Sequence, residues 1–221
     1  MNVDEIRSRL YTAIDSVDSE QSLEMMGELG SLIPAWLRHH LEQEHSTPSP
    51  STLMDCRFCQ WLRARKEPPD QDIPTYWKIR RVAGVLQEPY WLHIFKLAGF
   101  DVVLPDETYA CGPLMQAHPD ALVNDFVLEL KSVQGWGFKN LMEGYGVATE
   151  SPGHYTQANL YLYAAKKKKC LYVATPPDPG LLQSILRQKK RYGSNFNLDP
   201  LYLEFIERDE ATIEAGLRRA E

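Results

Sequence analysis

The sequence predicts a mixed α/β fold, a central sheet of mixed strand direction flanked by helices, with a helical extension in front. Three observations carry that prediction. Apolar residues recur at helical spacing near the start, at Ile6, Leu10, Ala13, Ile14 and Val17. Between Phe100 and Ser132, short runs rich in aliphatic and aromatic residues are punctuated by turn residues, the pattern of paired strands. Further on, a helical stretch from Tyr155 to Ala165 separates two buried-strand runs, Phe126–Ser132 and Cys170–Thr175, the arrangement that joins neighbouring parallel strands.

Taken in order, residues 3 to 45 read as helices with a break at Gly27–Gly30 and a second helix from Ala35 to Glu44. His39, His40 and His45 cluster there without cysteine or acidic partners at ligand spacing, and read as surface. The run STPSPST at 46–52 is a turn-rich linker, which sets the expected division into an extension, 1–50, and a core, 51–221. A helical pattern resumes from Leu53 to Lys66. Pro68, Pro69 and Pro74 interrupt the chain before a helix from Tyr76 to Ala98 that ends at Gly99. Phe100–Leu104, Tyr109–Val123 and Phe126–Ser132 then read as a strand meander. The connection 134–153 is long and glycine-rich and carries Trp136, Phe138 and Tyr145, placed either to stack on unpaired bases or to plug the core. Leu201–Glu207 reads as a strand and Ala211–Arg219 as a closing helix.

Composition bounds the function. The 221 residues are 43% hydrophobic and 24% charged, an ordinary globular balance able to bury a core. With no apolar run of bilayer length and no basic-plus-apolar leader, a soluble cytoplasmic protein without membrane contact is expected. Four cysteines, Cys56, Cys59, Cys111 and Cys170, are too few and scattered for a disulfide scaffold, and a reducing compartment fits. A net charge of -6 argues against coating nucleic acid by bulk electrostatics. Local basic clusters remain able to touch phosphates: Arg63, Arg65 and Lys66; Lys78, Arg80 and Arg81; Lys166 to Lys169; Lys189, Lys190 and Arg191.

The stretch HPDALVNDFVLELKS, 118–132, concentrates the chemistry. In a strand, Val127, Glu129 and Lys131 share one face while Phe126, Leu128 and Leu130 share the other. If Asn124-Asp125 is a two-residue hairpin loop, residues equidistant from it oppose each other, which sets Asp120 across from Glu129 and His118 across from Lys131. Two opposed carboxylates repel unless something positive lies between them, and Asp with Glu are hard oxygen ligands of the kind magnesium takes. The plainer alternative is an edge hairpin with a fortuitous salt bridge.

HPD at 118–120, ELK at 129–131, QANLY at 157–161 and GVLQE at 84–88, in that order, resemble the motifs of the PD-(D/E)XK nuclease superfamily. The glutamine-x-x-x-tyrosine helix after the lysine strand is similar to that of its RecB-type and phage exonuclease branch. The resemblance spans about residues 51–175 and implies a restriction-endonuclease-like core, divalent metal (magnesium or manganese) and DNA as substrate. It also implies work in recombination, repair or phage DNA processing, in a bacterium or a phage-infected host, with a recombination or replication partner protein.

By that resemblance Asp120 and Glu129 correspond to metal ligands and Lys131 to the catalytic lysine. Glu88 corresponds to an upstream acidic ligand, and Gln157 and Tyr161 to the helix pair that braces Lys131 or meets a phosphate. The backbone carbonyl of Leu130 and the side chain of His118 are further candidate metal contacts. Arg80, Arg81, Trp136 and Lys139 are candidate nucleic-acid contacts. Hydrolysing a phosphodiester needs a nucleophilic water and charge neutralisation at phosphorus, and Lys131 would orient or help deprotonate that water if burial and nearby positive charge lower its pKa. Pro89 disfavours helical geometry at Glu88, which predicts a kink or helix start there and makes His93 a fallback ligand.

Some RecB-type relatives hold an iron-sulfur cluster through one cysteine before the core and three after it. Here only Cys170 follows Gln157. Neither a cluster nor zinc is therefore expected. Cys56 and Cys59 are read instead as small apolar residues on a helix whose Phe58, Trp61 and Leu62 pack on the core.

Overall fold

The computed structural model describes residues 1–18, 49–54, 56–67, 74–105, 108–133, 135–176 and 201–221 with scattered positions from 20 to 34, and gives the backbone alone at 63–64 and 76–81. The expected helix at Ala35–Glu44, the three histidines near it and the basic run Lys189–Arg191 lie outside the described residues, as do the side chains of Arg63, Lys78, Arg80 and Arg81.

Helix α1, Val3–Ser16, starts where the Asn2 side-chain oxygen accepts the Glu5 amide at 2.8 Å, and it buries Ile6, Leu10 and Ala13 along one stripe. A short helix α2, Arg57–Ala64, precedes the long α3, Thr75–Leu97. The end of α3 is closed by a left-handed glycine. Gly99 has φ +77°, its amide donates to Lys96 O at 2.9 Å, and the Phe100 amide reaches back to Phe95 O at 3.1 Å. Arg9 of α1 donates to the Ala98 carbonyl, with Nε at 3.1 Å, and lies 4.0 Å over the Phe100 ring. That contact satisfies an end carbonyl of α3 and locks α1 beside it.

The main sheet has five strands in the order β1-β4-β5-β6-β7. These are β1 Val102–Val103, β4 Ala121–Val123, β5 Phe126–Ser132, β6 Lys169–Thr175 and β7 Tyr202–Glu207. Among the described residues only β5 and β6 run parallel; the other neighbouring pairs are antiparallel. The expected meander is split, because β2, Tyr109–Cys111, and β3, Met115–Ala117, leave the main sheet and, among the described residues, pair with each other alone. Gly112, at φ +73° in the turn between them, lies where an added Cβ would meet Leu217 at 2.9 Å. Strand β1 pairs across that detour with β4, and Asn124, at φ +50°, holds it with its side-chain oxygen on the Asp101 amide at 3.1 Å.

Helices cover both faces. Helices α1 and α3 pack on one, where Ile6, Leu10, Leu92, Phe95 and Phe100 meet Phe126, Leu128, Leu130 and Val173. The other face carries α4, Gly135–Met142, α5, Val147–Glu150, and α6, Pro152–Ala164, with the closing helix α7, Glu210–Ala220. There Phe138, Leu141, Val147, Leu160 and Tyr161 meet Val127, Cys170, Tyr172 and Ala174. The connection read as an irregular segment is thus mostly helical, because Phe138 and Leu141 fall one turn apart and bury together. Among the described residues no helix is long and apolar enough to cross a membrane.

Candidate active site

The site begins with a register. Val123, Leu122 and Ala121 pair with Phe126, Val127 and Leu128, residues equidistant from Asn124-Asp125, as the hairpin expectation requires. Just beyond the last pair, Asp120 turns its carboxylate onto β5, and Oδ2 accepts the Leu130 amide at 2.6 Å. Parity does the rest. Phe126, Leu128 and Leu130 enter the core with α1 and α3, while Val127 packs toward α6 and carries Glu129 and Lys131 to that side.

Glu129 is fully buried. Its Oε1 is ion-paired with the Lys131 ammonium, yet neither carboxylate oxygen accepts a hydrogen bond of ordinary geometry. Desolvation pushes the Glu129 pKa up to about 8, with Lys131 opposing and Asp120 adding to the rise. Burial also raises Asp120, against the pull of Lys131, the Leu130 amide and His118. Lys131 goes the other way from expectation. Burial alone would lower its pKa, but Glu129 and Asp120 outweigh it and hold the ammonium well above the ordinary lysine value. As it stands Lys131 is a charged donor rather than a base. Two carboxyl groups facing one ammonium in a buried site, one of them pushed to a pKa of about 8, form a donor set whose proton a hard divalent cation would displace.

Helix α6 roofs the pair. Gln157 and Tyr161 are both buried on its sheet-facing side, and Gln157 Nε2 donates to the Tyr161 hydroxyl at 2.9 Å. Tyr161 is raised by burial and then by the Glu129 charge. One turn earlier lies a residue that the sequence reading missed. His154 Nδ1 is 2.8 Å from the hydroxyl of Tyr172, which sits beside Glu129 in the β5–β6 register. Burial first and Lys131 second depress the His154 pKa to about 4, so the ring is neutral at neutral pH. Its signal was the helical spacing His154, Gln157, Tyr161; Tyr172 was legible only once β5 and β6 were paired in register.

Glu88 stands mid-helix, since α3 runs unbroken through a buried Pro89. Glu88 is therefore not at a helix start, and neighbouring packing holds the helix where proline removes one hydrogen bond. Glu88 lines a small pocket at the carboxyl ends of β5 and β6 together with Lys131, Ser132, Thr175, Gln87 and Trp91. Thr175 Oγ1 donates to Gln87 at 2.9 Å and fixes α3 against that edge. Among the described residues, however, no three His, Cys, Asp or Glu side chains converge closely enough to hold a metal by themselves. His93, the fallback, has its Nδ1 3.4 Å from Glu28. His118 is half-buried near Asp120.

The aromatics of the 134–153 connection divide. Phe138 is buried in the core, whereas Trp136 is 71% exposed and lies under Lys139 Nζ at 5.1 Å. The α2 expectation is also corrected. Phe58 and Trp61 face solvent, because the inward contact of α2 is made by Gln60, whose Nε2 donates to Leu53 O at 2.8 Å. Cys56 and Cys59 are exposed and joined in a disulfide rather than packed as small apolar residues.

No protein-family model and no curated protein sequence matches the chain. Solved structures do. An alkaline exonuclease from Laribacter hongkongensis superposes with a TM-score of 0.53 at 16% identity, over 85% of this chain and 88% of that one. The chain shares the fold of this exonuclease. The same Laribacter protein in complex with dAMP aligns at 0.52 and 17% identity, covering 79% of this chain and 84% of that chain. A phage-related exonuclease from Haemophilus somnus aligns at 0.50 and 12%, covering 79% and 91%. In the exonuclease-like fold described here, Asp120, Glu129, Lys131, Gln157 and Tyr161 come from a hairpin and a facing helix and meet on one side of β5.

Proposed function

We propose that the protein is a divalent-metal-dependent DNA nuclease, an exonuclease hydrolysing phosphodiester bonds in recombination, repair or phage DNA processing, in the cytoplasm of a bacterium or phage-infected host. The supporting observation is Glu129, a fully buried acidic side chain ion-paired with Lys131 beside Asp120, its pKa pushed up to about 8, on an exonuclease-like fold. Asp120 and Glu129 would hold magnesium or manganese, with the Leu130 carbonyl, Glu88 and His118 as the remaining contacts. The bound ion would supply Lewis-acid polarisation of the phosphate and acidify a water molecule. Lys131, charged, would orient that water and offset the charge that grows on the phosphoryl oxygens. Gln157 and Tyr161 would fix the ammonium from above, and Trp136, Lys139, Arg80 and Arg81 would contact the strand. A recombination or replication protein is the expected partner.

The pairing of only two carboxylates favours one other reading, a nuclease-fold module that binds DNA or a protein without cutting. One experiment separates the two. End-labelled linear, circular, single-stranded and double-stranded DNA are incubated with the protein and magnesium or manganese, with chelator as control. Metal-dependent loss of linear substrate supports the nuclease. Binding without cleavage under every metal supports the module, and full cleavage in chelator excludes the proposed mechanism.

A further inference from the structure

We propose that α2 and the end of α7 form a second nucleic-acid contact, a platform on which an unpaired DNA strand stacks its bases and seats a phosphate outside the carboxylate site. The choice of DNA as ligand rests on the nuclease reading; the platform itself rests on separate residues. Arg57, Phe58, Trp61 and Arg65 fall along one side of α2 and its last turn by helical spacing. Phe58 is 66% and Trp61 51% exposed, and their rings stack at 5.8 Å with an interplanar angle of 18°. The Arg65 guanidinium lies 4.7 Å over the Trp61 ring. Two parallel rings already stacked in solvent present an outer face that any base can extend.

Beside this ladder, a cavity of about 420 Å³ opens between α2, the outer side of α6 and α7. Arg57, Arg218 and Arg219 line it with Met54, Thr156 and Gly216, and among the described residues no acidic side chain does. Its size suits a nucleotide, and guanidinium forks suit phosphate oxygens. Arg219 is held in place by donating its Nε to the Leu53 carbonyl at 2.8 Å. Arg218 pairs with Glu214 and Arg65 with Glu67, both exposed ion pairs that exchange for a phosphate at little cost. Gly216 lets α7 approach α6 closely, since a Cβ there would come within 3.1 Å of Leu160, and this sets where the two C-terminal arginines stand.

In a chain of net charge -6, four arginines and two stacked rings on one surface match the alternation of cation and aromatic used for unpaired strands. A duplex keeps its base faces inside and has nothing to offer Phe58 or Trp61. Thr156 faces this cavity while Gln157 faces the sheet, so the thickness of α6, about 10 Å, separates the platform from Glu129.

The test is fluorescence anisotropy of a labelled oligothymidylate and of a duplex of equal length, both in chelator. Phe58→Ala with Trp61→Ala is expected to weaken single-strand binding by about tenfold or more while leaving duplex binding unchanged. Arg57→Ala with Arg218→Ala is expected to flatten the salt dependence of single-strand affinity by about 1.4 in log-log slope. Arg57→Ala alone replaces that pair if the double variant melts early. No single-strand binding by the wild-type protein, unchanged single-strand affinity in all variants, or equal losses on strand and duplex would each overturn the proposal. The first two would leave the rings to a protein partner. Single-strand binding that depends on these residues in a protein that cleaves nothing would strike the nuclease reading and leave the platform standing.

Discussion

Strand β5 has two faces that obey different rules. On one, Phe126, Leu128 and Leu130 are buried among aliphatic and aromatic side chains of α1 and α3, and every contact favours the folded state. On the other, one residue away in each case, Glu129 is buried and Lys131 half-buried beside Asp120, where desolvation works against all the charges. The contrast teaches a division of labour within a single strand. The apolar face supplies the free energy that holds the backbone rigid, and that rigidity keeps the charged face in an arrangement it would not choose alone.

Changes on the two faces should therefore separate activity from stability. The largest effect is expected on the charged face. Asp120→Ala or Glu129→Ala should lower turnover by on the order of a thousand-fold, comparable to deleting one preorganised electrostatic group, while thermal melting stays near that of the parent protein. Lys131→Met should lose turnover with them but retain metal binding by calorimetry; loss of both would make Lys131 a structural prop instead. Leu128→Ala, on the apolar face, should do the reverse. It is expected to cost about 2–5 kcal/mol in denaturant titration, with turnover per folded molecule preserved under stabilising conditions.

A smaller effect sharpens the comparison through pH. The pKa of His154 is depressed from 6.5 to about 4 in the folded protein, so the unfolded chain binds more protons between those values. Its stabilising contribution is complete above pH 6.5 and is lost as pH falls toward 4, by about 3 kcal/mol at most. Glu129, raised from 4.5 to about 8, acts oppositely, favouring the folded state at low pH and losing that contribution as pH rises through 8. The difference between parent and His154→Gln across pH 4 to 7, by urea titration, isolates the histidine; identical slopes would place the ring in solvent. The smallest effect concerns the bond outside both faces. Replacing Cys56 and Cys59 by serine removes a short closed loop and should cost about 2 kcal/mol or less, with turnover unchanged. Elemental analysis of the parent protein should find no stoichiometric iron or zinc.

What could be read in advance followed local rules. The hairpin register came from Asn124-Asp125 and the facing of Glu129 and Lys131 from strand parity. The end of α3 came from Gly99, and all three need only neighbours in sequence. What was missed depends on distant contacts. Tyr172 became visible only through a parallel pairing across an intervening helix, and the sign of the Lys131 shift required knowing that two carboxylates surround it. Composition also misled. Glycine and aromatic residues hid the helical spacing of Phe138 and Leu141, and an apolar reading of Phe58 and Trp61 hid a surface that faces water.

The bond from the Leu130 amide to Asp120 ties a catalytic candidate into the backbone of β5. At 2.6 Å to a carboxylate oxygen, that amide proton should resonate far downfield in a nuclear magnetic resonance spectrum and exchange slowly with deuterium. Titrating magnesium would draw electron density from the same carboxylate and move this one resonance upfield before any substrate is added. If Asp120 holds the proposed cation, this one backbone amide reports its arrival without any substitution.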